Sequence, residues 1–117
     1  MLQELLNDHV MDPKNPDKVY KLAREYDRLE QGAMAVSLYL KTADLSDNAL
    51  LQYKSLIGIA KCYWRQGHRT YTVESSLLDA AGVLPELPEA HYFLSVLYAE
   101  QQKWKAFILM PSRWFQQ

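Results

Sequence analysis

The chain has a single cysteine, Cys62, so no disulfide can form within it and no thiolate cluster can hold a metal. Glycine is scarce, at 4 of 117 residues, and no alternating strand pattern of useful length appears, which argues against a β fold. Only three histidines occur, His9, His68 and His91, and none stands three or four positions from another, as a helical metal site requires. Charge of one sign is missing too. With 13 Lys plus Arg against 14 Asp plus Glu the net charge is -1, and no global field draws the chain to nucleic acid or to a membrane. Nowhere do ~18 apolar residues run together, and Met1 to Asp8 lack the basic start and apolar run of a signal peptide. These absences predict a cytoplasmic protein without metal, cofactor, membrane or nucleic-acid partner.

What is present is apolar content, 49% of the residues, enough for the core of one domain spanning residues 1–117. A pattern of an anchor, two residues, an apolar residue, a small one, two residues and Tyr occurs three times. It reads Val19, Leu22, Ala23, Tyr26; then Leu56, Ile59, Ala60, Tyr63; then His91, Leu94, Ser95, Tyr98. Spacings of three and four place each set on one helical face, and the small residue lets a neighbouring helix come close. From Leu22 to Ile59 is 37 positions and from Ile59 to Leu94 is 35, near the roughly 34-residue period of tetratricopeptide (TPR) units.

A second helix is predicted after each first one. Ala35, Val36, Tyr39, Leu40 and Ala43 supply one stripe, and Val73, Leu77, Leu78, Ala81 and Leu84 the next. Asn15 before Pro16, the polar run Ser46–Asp47–Asn48, Leu87 before Pro88, Gly67 and Thr72 mark the boundaries. The expected architecture is all-α: a right-handed superhelix of about three antiparallel TPR-like pairs. A short helix covers 2–9, the units cover about 16–45, 48–84 and 88–110, and Pro111 breaks the last helix before an irregular tail, 111–117.

The runs Ala35 to Ala43, Gln66 to Val73 and Leu84 to Ala90 resemble TPR-like segments attached to glycosyltransferases of marine phages and bacteria. The likeness spans roughly Asn7 to Trp104. It implies a protein–protein interaction module, a fragment or accessory segment of a glycosyltransferase-like protein. The chain departs from the pattern at the long His68–Tyr71 loop, at Glu74 where TPR units usually have alanine, and at Pro111. No catalytic domain of that class fits in this length, and Asp44-Leu45-Ser46-Asp47 lacks the spacing of a metal-binding Asp-x-Asp. The resemblance also implies that the first helices line a concave surface. The chaperone-binding clamp of the family is not reproduced there: Tyr20, Arg24, Gly58, Glu89 and Phe93 occupy its positions.

No catalytic constellation is predicted; Cys62, among apolar neighbours, reads as a small hydrophobe, and His91 as a packing residue in an aromatic slot. On the first helices, Lys54, Gly58, Lys61 and Arg65 come in order at four, three and four residues, a basic stripe flanked by Trp64; Arg24 and Arg28 continue it in the preceding unit. Arg24, Lys54, Lys61 and Arg65 are expected to converge on an anionic protein or peptide. The alternative is a structural spacer or self-association module whose polar face is merely solvated. For that role the apolar tail, with Trp104, Phe107, Trp114 and Phe115, predicts a homodimer through the C-terminal end.

Overall fold

The computed structural model describes residues 1–68 and 71–115, with side chains described as far as Lys103. Six α-helices succeed one another: α1 (Leu2–Met11), α2 (Pro16–Arg28), α3 (Gly32–Leu45), α4 (Ala49–Arg65), α5 (Tyr71–Val83) and α6 (Pro88–Phe115). No strand occurs among the described residues. Each helix packs on the next, and α2 also touches α4, so the helices stack as an elongated array. Connections as short as residues 29–31 and 46–48 oblige consecutive helices to run antiparallel.

The boundaries rest on named side chains. The Asn15 carboxamide oxygen accepts from the amides of Asp17 and Lys18 at 3.0 and 3.4 Å, with Pro16 at the first helical position. Asn48 caps α4 through the Leu51 amide at 3.0 Å, and the Ser46 hydroxyl accepts from the Asn48 amide at 3.0 Å. α2 and α4 stop in the same way. In α4, the amides of Gly67 and His68 donate to the carbonyls of Trp64 and Tyr63, with Gly67 at φ +90°. In α2, the amides of Glu30 and Gln31 donate to the carbonyls of Asp27 and Tyr26, with Glu30 at φ 60°. Both are Schellman closures, the second carrying a non-glycine residue in the left-handed region.

Two core clusters fill the array. One gathers Val19, Leu22, Ala23, Ala35, Val36, Leu38, Tyr39, Ile59 and Cys62 between α2, α3 and α4; the other gathers Tyr53, Ile57, Ala60, Val73, Leu77, Ala80, Ala90, Leu94 and Leu97 between α4, α5 and α6. Burial of Leu22 and Ile59, and of the small residues Ala23 and Ala60 beside them, matches the sequence pattern. The third set departs from it. On α6 the buried stripe is Ala90, Leu94 and Leu97, while His91, Ser95 and Tyr98 are exposed.

Helix limits also differ from expectation. α1 runs on to Met11, and α5 begins at Tyr71, so Thr72 lies inside its first turn and its carbonyl receives the Ser76 hydroxyl at 3.0 Å. The expected break at Pro111 and irregular tail from 111 are corrected: α6 continues to Phe115. A proline forfeits its own amide bond while the rest of the ladder can persist. Trp104, Phe107, Trp114 and Phe115 lie, as side chains, outside the described residues. No helix among the described residues is long and apolar enough to cross a membrane.

Candidate functional site: a groove across the first helices

α2, α4 and α6 border a cavity of about 600 Å³. Helical spacing delivers its lining: Tyr20, Arg24 and Asp27 stand on consecutive turns of α2, Lys54, Ile57, Gly58, Lys61, Trp64 and Arg65 on α4, and Glu89 and Phe93 on α6. Tyr39 of α3, Val73 and Leu77 of α5 close the back.

Gly58 explains how Tyr39 reaches the groove. A Cβ there would lie 2.7 Å from Cζ of the Tyr39 ring, so only glycine lets α3 press this ring onto α4. The ring also meets Tyr20, centroids 5.8 Å apart. The Tyr39 hydroxyl donates to Asp27 Oδ2 at 2.9 Å, and Arg65 donates to Asp27 Oδ1. Asp27 is thus a junction joining α2, α3 and α4. Burial, reinforced by the Asp27 charge, pushes the Tyr39 pKa up. Burial likewise pushes the Cys62 thiol up to about 11, which leaves it protonated and without nucleophilic character at neutral pH.

A second contact ties α4 to α6: Lys61 Nζ lies 2.7 Å from Glu89 Oε1 and 5.5 Å from the Phe93 ring centroid. Beside it, the Ala90 amide donates to the buried Tyr53 hydroxyl at 2.9 Å, satisfying an orphan donor at the start of α6. Of the basic residues expected on the concave face, Arg24, Lys54, Lys61 and Arg65 do line one cavity, with Trp64 among them. Their charges are not equally available. Lys61 and Arg65 are matched by Glu89 and Asp27; Arg24 donates to the Tyr20 hydroxyl at 3.3 Å. Lys54 has neither ion pair nor hydrogen bond among the described residues.

Arg28 does not join this set. It borders the neighbouring cavity and donates through Nε to Glu25 Oε2 at 3.1 Å, forming an ion pair one turn back on its own helix. Sequence spacing alone misses Asp27 and Glu89 as site residues, and also Lys21, whose position three residues before Arg24 is the signal that could have found it. Predicted as a packing residue, His91 is exposed, its Nε2 2.7 Å from the Pro85 carbonyl oxygen. Glu74, the odd residue of the second pair, interacts with the Tyr98 hydroxyl, whose pKa is raised by desolvation and by this carboxylate.

No model of a known protein family matches the chain, and no curated protein matches it significantly.

Proposed function

We propose that the chain is a TPR-like interaction module, a right-handed superhelix whose groove receives a protein segment, and that it binds instead of catalysing. One observation carries this: three successive first helices contribute to one open cavity in which aromatic and aliphatic groups, Trp64, Phe93 and Ile57, stand beside basic ones. Its wall is stabilised by its own ion pairs and hydrogen bonds, so the surface exists before a partner arrives. The matching closures of α2 and α4, placed 37 positions apart by Glu30 and Gly67, support the repeat assignment. A role beside a glycosyltransferase rests on the sequence resemblance.

Isotope-labelled protein titrated with a pool of random short peptides tests the proposal. Amide shifts should concentrate at Lys54–Arg65 and Glu89–Phe93, and Trp64→Ala with Phe93→Ala should abolish them. Shifts scattered over the surface, or none, would defeat it. The spacer or self-association reading draws on α6, whose 28 residues reach about 42 Å against about 20 Å for the 13 of α5. Sedimentation as a monomer, unchanged by Trp114→Ser with Phe115→Ser, would remove the homodimer.

A further inference from the structure

The groove does not end at α2. A second cavity, also about 600 Å³, is bordered by Leu5 of α1 and by Lys21, Glu25 and Arg28 of α2, and it shares Tyr20, Arg24, Asp27 and Arg65 with the first. The two adjoin at these four residues, which makes them one candidate path along α2 and α4. Six side-chain cations line this path against three carboxylates. Every carboxylate is already engaged: Glu25 with Arg28, Asp27 with Arg65, Glu89 with Lys61. That leaves Lys21, Arg24 and Lys54, all exposed and in no ion pair among the described residues, with Arg24 only weakly attracted by Asp27. Lys14, Lys41 and Lys103 are exposed and unpaired elsewhere among the described residues, but only Lys21, Arg24 and Lys54 carry unmatched positive charge beside the apolar groups of these cavities.

We infer that this path is a site for an extended acidic–aromatic peptide, its carboxylates on Lys21, Arg24 and Lys54 and its apolar side chains on Trp64 and Phe93. The inference rests on the binding reading above and specifies the ligand. Carboxylates meeting Arg and Lys make charge-assisted hydrogen bonds, stronger than neutral ones, and Arg24 is held in place by Tyr20, its guanidinium carbon also 5.9 Å from that ring's centroid. A nucleic acid fits worse. Its closely spaced phosphates would meet Asp27, Glu25 and Glu89 as often as free cations, and three unmatched charges give little counterion release.

Fluorescence anisotropy on the full chain tests this with four labelled probes: a short peptide of alternating Glu and Phe or Leu, its Gln-for-Glu counterpart, a poly-Glu peptide, and a single-stranded oligonucleotide. The Glu/Phe peptide should bind tightest and lose affinity as salt rises. Lys21→Gln with Arg24→Gln and Lys54→Gln should weaken it by at least about tenfold, equivalent to about 1.4 kcal/mol, and flatten the salt dependence. These side chains are exposed, so the variant should keep the wild-type thermal transition; if it does not, the three single variants carry the comparison. Equal binding of the Gln peptide, or an unaffected triple variant, would overturn the acidic specification and leave the groove reading standing. Tighter binding of poly-Glu or the oligonucleotide would show a plain polyanion site and overturn the inference. If no peptide binds, both fall.

Discussion

α2 and α4 present one profile to their neighbours, and α6, drawn from the same sequence pattern, presents another. Leu22 and Ile59 are each 2% exposed, and the small residues after them, Ala23 and Ala60, are 0% and 3% exposed. On α6, Leu94 is buried, yet Ser95 is exposed and Tyr98 is 41% exposed. The cause lies at the C-terminal end of each helix. α2 and α4 stop in left-handed closures that return the chain as α3 and α5, and those helices cover the small residue and the tyrosine. Among the described residues α6 shows no such stop. It continues to Phe115, so no returning helix covers the corresponding face among the described residues. A repeat pattern specifies a helix face that can be packed; the turn at its end decides whether it is.

The sharpest way to break this comparison is to enlarge the small residue. Ala23→Leu and Ala60→Leu force extra methylenes into filled space and should each cost about 1–3 kcal/mol of unfolding free energy. Ser95→Leu adds the same bulk to an exposed face and should stay within about 0.5 kcal/mol of wild type. Urea unfolding of the three variants checks it. Equal losses at all three positions would mean that α6 is covered as α2 and α4 are.

The closures themselves come next in size. Glu30 holds φ 60° where α4 uses glycine at φ +90°. Glu30→Gly should therefore stabilise by up to about 1 kcal/mol, since a side chain in the left-handed region costs roughly that much. Gly67→Ala should lose a similar amount; no atom lies within 4 Å of a Cβ built there, so the cost would be backbone strain alone. Thermal or urea midpoints moving in the same direction for both variants would refute the equivalence of the two ends.

Much of the fold is legible in the sequence because it is local. Helix faces emerge from spacings of three and four, and caps such as Asn15, Asn48 and Gly67 act within a few positions of themselves. That spacing puts Arg24, Lys54, Lys61, Trp64 and Arg65 on one face, and they do line one cavity. What spacing cannot convey is pairing between helices. Arg65 finds Asp27 across 38 positions, and the ring that occupies the gap at Gly58 comes from Tyr39 on another helix. On α6 the residue types suggest His91, Leu94, Ser95 and Tyr98 as a packed set, yet of these only Leu94 is buried, with Ala90 and Leu97 beside it. Pro111 reads as a break in the sequence because a proline ring lacks a donor and crowds the carbonyl four residues back, yet α6 runs on to Phe115.

The subtlest difference between the pairs is electrostatic, at one slot that all three helices bury. It holds Glu25 on α2, Cys62 on α4 and Leu97 on α6, spaced by 37 and 35 positions. Only the first can ionise in the acidic range. The hydrogen bonds from Arg28 hold the Glu25 carboxyl below its ordinary 4.5, against the opposing pull of desolvation. A depressed pKa in the folded state means stability that is complete above the unfolded value and lost as pH falls through the folded one. Acid should therefore loosen the α2–α3 pair before the α4–α5 pair, beginning below about pH 4.5. Amide exchange monitored down a pH series would show protection failing first at Val19–Tyr26 and Ala35–Thr42. Glu25→Gln should make the two pairs fail together, and because the Arg28 side chain is 67% exposed, added salt should shrink the wild-type difference in the same direction. Loss of protection in α4–α5 first, or a wild-type order unaltered by Glu25→Gln, would remove Glu25 as the source of the acid sensitivity.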